Sequence, residues 1–130
     1  MPQYTLNKKE RLKSRKQIDF LFKKGQRFAV PPFRVFYVIK KEEPAEGDSR
    51  LQFGIGASSR SFRKAVDRNR IKRLGREAWR LQKPVLQELL AKQNKQLDVF
   101  LIYTGKELPA HKEMFDATGE VIRKLSGRIK

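Results

Sequence analysis

The segment FRKAVDRNRIKRLGREAWR, residues 62–80, most restricts the folds open to this chain, because its periodicity is helical while the runs on either side are strand-like. Val66, Ile71, Leu74, Ala78 and Leu81 fall within one arc of a helical wheel, as a helix that buries one stripe requires. Upstream, LQFGIGA at 51–57 is short and apolar; downstream, LDVFLIY at 97–103 is apolar on both faces, the pattern of a strand in the middle of a sheet. A helix between two strands predicts an α+β layer. If those strands pair in parallel, strand twist makes a right-handed crossover the default.

The flanking sequence fills in the order of elements. Ser14 and Gln17 have the capping-box spacing, Ile18, Leu21 and Phe22 recur at helical intervals, and Gly25 is a C′ residue, which predicts a helix over 15–24. Pro31-Pro32 interrupt the chain, and FRVFYVIK at 33–40 reads as a strand, expected to pair with 51–57 as a hairpin across the segment KKEEPAEGDSR. Pro84 opens a short helix, PVLQELLAKQ. Pro109 starts a last helix in which Met114, Phe115, Thr118, Val121, Ile122 and Leu125 form one stripe, weakened at Gly119 by roughly 1 kcal/mol relative to Ala. The resulting order is αββα(α)βα, within a single domain over 1–130 whose residues 1–13 form an extended basic arm.

Charge narrows the function. With 31 Lys+Arg against 14 Asp+Glu the net charge is +17, and it is polarised: Glu42, Glu43, Glu46 and Asp48 share one loop, while bases crowd the N-terminal stretch and the 62–80 helix. Opposite the apolar arc of that helix lie Arg68, Asn69, Lys72, Arg73, Arg76 and Arg80; Arg70 falls on the apolar side and Trp79 among the bases. Guanidinium forks on one helix face match successive phosphates, and Asn69 adds a donor and acceptor suited to a 2′-hydroxyl or base edge. Phe20, Phe22, Phe28, Phe33, Phe36, Tyr37 and Phe53 lie close to the N-terminal bases. Most are expected in the core, but a sheet face left uncovered by the main helix would offer a stacking surface to unpaired bases.

Catalytic constellations are nearly absent from the sequence. There are no cysteines, the one histidine, His111, has no partner for a metal site and is expected at the surface, and TGK at 104–106 lacks the glycine spacing of a P-loop. The stretch MPQYTLNKKER lacks the apolar run of a signal peptide and no span reaches a membrane-crossing length, which predicts a cytoplasmic location and no membrane partner. A helix-turn-helix reading for DNA fails because a strand precedes the basic helix. An RNA-binding protein that docks on folded RNA remains the general alternative to a role in an RNA-containing enzyme.

RNRIKRLGREAWR, from Arg68 to Arg80, together with RLKSRKQIDFLFKKG and LQFGIGASS, closely resembles the bacterial ribonuclease P protein subunit family, from about Arg11 to Ile102. The resemblance implies an αβββαβα two-layer fold with a small mixed sheet and a left-handed βαβ crossover. It implies a ribonucleoprotein endonuclease whose RNA subunit, with Mg²⁺ held by RNA, performs the bond chemistry that removes the 5′ leader of precursor tRNA. No obligate protein partner is expected. The family's contacts to the catalytic RNA carry over to Arg68, Asn69, Arg70, Lys72, Arg73 and Arg76, and its leader cleft to Ile18, Phe22 and Phe36, with Tyr37 in place of Phe36 if one residue is inserted. Val99 falls where the family often has an aromatic ring, and SSRSFRK is one residue longer than the family's turn and lacks its Gly, which leaves Phe62 to pack there.

Overall fold

The computed structural model describes residues 10–12, 14–41 and 49–130; the acidic loop and most of the expected arm lie outside them. The elements run α1 (Arg15–Lys24), β1 (Gln26–Val30), β2 (Phe33–Lys40), β3 (Leu51–Ala57), α2 (Ala65–Gln82), α3 (Pro84–Gln93), β4 (Gln96–Tyr103) and α4 (His111–Ile129). Helix α1 begins where the capping pair predicts, with the Ser14 hydroxyl accepting from Gln17 N–H at 3.4 Å. It ends at Gly25, whose φ of −71° is not left-handed. Glycine is needed there for space instead: a Cβ would stand 2.6 Å from the Leu21 carbonyl oxygen and 3.1 Å from that of Tyr37.

The four strands are ordered β1-β2-β4-β3, with β2 antiparallel to both β1 and β4, and β3 parallel to β4. The expected hairpin of 33–40 with 51–57 therefore does not form. The last strand in the chain inserts between them, and the hairpin is instead β1–β2, turning at Pro31-Pro32. Strand β1 was not expected from residue pattern because it is an edge strand with three of its five residues exposed, so it shows no apolar alternation. Strand β4 is central, as its apolar character on both faces requires.

Alternation along the strands divides the interior in two. Val35, Tyr37, Phe53, Ile55, Leu97, Val99 and Leu101 point into the larger core, which α2, α3 and α4 close with Ile71, Trp79, Leu86, Val121 and Leu125. On the opposite face Phe36 joins Leu12 and Leu21, with Ile18, Phe22, Val38, Phe100 and Ile102 half-buried around them. Trp79, which the helical wheel places among the bases, is fully buried and stacks on Phe53 with ring centroids 4.3 Å apart and planes 9° from parallel. The buried stripe of α2 is Ile71, Gly75, Ala78 and Trp79, whereas Val66 and Leu81, assigned to the apolar arc, are exposed. Gly75 sets this rotation, since it lets α2 settle onto β3 so closely that a Cβ would overlap Ile55 Cδ1. Phe62 is buried against Tyr103, and the turn before α2 is held by Phe62 N–H donating to the Ser58 carbonyl at 3.0 Å.

The described end of the arm is fixed in place. Arg11 bridges to Phe53 at the β3 edge, Leu12 N–H donates to the Phe53 carbonyl at 2.8 Å, and the Leu12 side chain is buried under α1. On the other side of that edge Glu10 forms a buried ion pair with Lys83, the residue between α2 and α3. The arm thus straddles the β3 edge and is attached to both interiors.

Candidate nucleic-acid interface

Helix α1 has ten residues and cannot cover a four-stranded sheet, so the face beneath it is left as a groove. The ladder places Arg27 opposite Phe36, Phe36 opposite Phe100, and Phe100 opposite Gly54, so one transverse row crosses all four strands. At the usual strand spacing that row is about 14 Å long. It is cationic at the β1 end, where the Arg27 guanidinium lies 5.7 Å over the Phe36 ring, and aromatic in the middle. At the β3 end Gly54 and Gly56 carry no side chains, and the Phe100 ring leans into that space: a Cβ on Gly54 would stand 2.6 Å from it. From α1, Phe22 meets Phe36 edge-on at 4.9 Å and Phe100 at 5.5 Å. Phe22 thus ties the other two rings together by edge contacts, and with Phe22 and Phe100 half-exposed the three form a wall that a base can stack on.

The register settles which residues face this groove. Phe36 does, whereas Tyr37 points to the main core, where its hydroxyl donates to Gln26 Oε1 at 2.7 Å and accepts from Arg128 at 3.0 Å. Val99 is likewise a core residue, and the ring that the central strand turns to the groove is its neighbour, Phe100. Phe100 and Arg27 were missed in the sequence. The alternation of Gly with large residues in LQFGIGA was the available signal, because it marks the sheet face where side chains are withheld.

On α2, the residues carried over by resemblance are not equivalent. Asn69, Arg70 and Arg73 are exposed, Lys72 is half-buried beside them, and Arg70, the outlier on the wheel, is at the surface. They line or flank a shallow concavity with Val66 and Asp67. Arg68 is half-buried and already employed: its guanidinium donates to the Phe62 carbonyl at 2.7 Å and the Arg63 carbonyl at 2.9 Å, tying the preceding turn to the helix. Arg76 lines both this concavity and the cavity beside β3, and partial burial first and the charge of Arg11 second hold its pKa below the ordinary arginine value. His111 opens α4 and is exposed, as expected. No helix among the described residues is long and apolar enough to cross a membrane.

The geometry defines a class: an α+β scaffold that sets a cationic helix face beside an aromatic groove. Comparison with known proteins gives that class a family. The ribonuclease P family profile matches residues 6–126. The ribonuclease P protein component of Porphyromonas gingivalis strain W83 is 33% identical over 128 residues, spanning 98% of this chain and 91% of the relative. That of Shouchella clausii is 42% identical over 74 residues, 57% of this chain and 56% of the relative. The solved RNase P protein of Staphylococcus aureus superposes with a TM-score of 0.64 at 22% identity, covering 89% of this chain and 94% of that one, a likeness of fold. The chain belongs to the ribonuclease P protein family, whose members work with an RNA subunit in a ribonuclease of tRNA processing.

Proposed function

We propose that this protein docks on the RNA subunit of ribonuclease P through the outer face of α2 and holds the single-stranded 5′ leader of precursor tRNA in the groove under α1. Asn69, Arg70, Lys72 and Arg73 are the central RNA contacts, with Arg68 at the margin of the face and Arg76 where that face meets the groove. Ile18, Phe22 and Phe36, joined by Phe100, line the leader groove. The observation that carries this reading is the transverse row from Arg27 to Gly54, cationic at one end, aromatic in the middle and glycine at the other, which suits a single strand with its bases turned inward.

The protein's share of catalysis is positional. Holding the leader raises affinity for precursor and fixes the scissile phosphate relative to the RNA active site. The bond chemistry belongs to the RNA, with Mg²⁺ held by RNA phosphates; a guanidinium-lined protein face attracts the phosphates and repels the metal.

The test compares precursor with mature tRNA on the reconstituted particle. Phe22→Ala is expected to weaken precursor binding about tenfold, the worth of one base stack, and to leave mature tRNA binding unchanged. Arg73→Ala is expected to weaken binding to the RNA subunit and lower its salt dependence by about one phosphate, a slope change near 0.9. Equal losses of precursor and mature tRNA with Phe22→Ala would remove the leader assignment.

A further inference from the structure

Between the arm, α1, β3 and α2 lies a cavity of about 260 Å³ whose lining includes Arg11, Ile18, Gly54, Ile55, Arg76 and Phe100. It continues the groove at the β3 end, beyond the glycines that end the transverse row. Two of the lining residues are arginines from elements far apart in sequence, and no lining residue is acidic. Neither Arg11 nor Arg76 makes an ion pair among the described residues. The nearest carboxylate in sequence, Glu10, is occupied by Lys83.

Like charges are not brought together by chance drift of a loose arm. Arg11 is fixed by the backbone bridge to Phe53, by Leu12 buried beneath α1, and by the Glu10–Lys83 pair on the other side of the strand. Each of these contacts would survive with a neutral residue at position 11. Two arginines that line one cavity with no acidic residue among its lining are arranged for an anion that arrives from outside, and a phosphate accepts from two arginine forks at once. The cavity is smaller than the usual site for a drug-sized ligand and opens onto a groove suited to a nucleic-acid strand, so the anion is one phosphodiester of that strand.

Resting on the leader reading above, we propose that Arg11 and Arg76 form a phosphate clamp for the strand in the groove, so that Arg76 serves the substrate leader and not the folded RNA on the outer face of α2. The two sources of phosphate, leader and RNA subunit, separate by experiment. Arg11→Ala, Arg76→Ala and the double variant are assembled with the RNA subunit, and dissociation constants are measured for precursor tRNA, for mature tRNA and for the protein on the RNA subunit alone. Each single variant is expected to weaken precursor binding about tenfold, as for one charge-assisted contact. The double variant should lose less than the product of the singles, because both act on one phosphate. Mature tRNA and RNA-subunit affinities should stay unchanged, and the salt slope for precursor should fall by about 0.7.

Losses that fall equally on precursor and mature tRNA, or on the RNA subunit alone, overturn the clamp and return Arg76 to the folded RNA. An Arg11→Ala variant that binds precursor normally, while Phe22→Ala still discriminates precursor from mature tRNA, overturns the clamp and leaves the groove standing. If Phe22→Ala fails to discriminate as well, the leader reading itself is lost. Arg11 is exposed, so Arg11→Ala decides the matter even where Arg76→Ala disturbs α2.

Discussion

Neighbouring residues of one strand meet different fates on the two sides of this sheet. Val99 and Leu101 are fully buried beneath α2 and α4, whereas Phe100 and Ile102, between and beside them, are only partly covered by α1. One side is closed by three helices and contains the stacked pair of Trp79 and Phe53; the other is closed by one short helix and leaves the rings of Phe22 and Phe100 half-exposed. Apolar surface covered on one side stabilises the fold, and apolar surface left partly open on the other is available to a ligand. The comparison implies that substitutions on the two sides should separate into losses of stability and losses of binding.

The largest effect expected is on the closed side. Trp79→Ala removes the ring stacked on Phe53 and should lower unfolding free energy by about 3–5 kcal/mol in denaturant titration. A selective loss of precursor binding by its folded fraction would break the comparison. Next is Lys83→Ala, which leaves Glu10 buried without its partner and should cost about 3 kcal/mol. Because the arm is attached to both sides, this variant should also raise hydrogen exchange at Leu12, and protection unchanged there would disconnect the two sides. Phe100→Ala, on the open side, should cost only about 1–2 kcal/mol of stability while weakening precursor binding about tenfold with mature tRNA unaffected. The smallest change is Ser14→Ala, which removes the N-cap of α1 and should destabilise by about 0.5 kcal/mol in thermal unfolding.

Local signals placed the helices well and the strand neighbours poorly. Ser14 with Gln17 located α1, Pro84 separated α2 from α3, and the double apolar character of 97–103 marked β4 as central. These features act over a few residues and can be read directly. Which strand lies beside which is decided by contacts far apart in sequence, so the adjacency of β2 and β3 in the chain was misread as pairing. Of the interface, the basic face of α2 was visible because charge periodicity is local. The wheel was nonetheless misaligned by Val66 and Leu81, two exposed apolar residues, and by Gly75, whose importance lies in the side chain it lacks. Phe100 was hidden because 97–103 is apolar on both faces, so alternation does not say which of Val99 and Phe100 faces the groove, and a shift of one residue exchanges the faces.

The position of β4 bears on how the protein is made. Strands β2 and β3 have no ladder to each other, and β3 is joined to the β1–β2 hairpin only through residues 96–103. While the chain emerges from the ribosome in order, the sheet stays open until that segment is free, and the larger core waits further for α4. Phe100, the ring at the middle of the groove, arrives on the same strand that closes the sheet. A truncated nascent chain can display the cationic α2 segment, but it has no groove, so the leader binding proposed above would be reserved for molecules whose synthesis has passed the central strand.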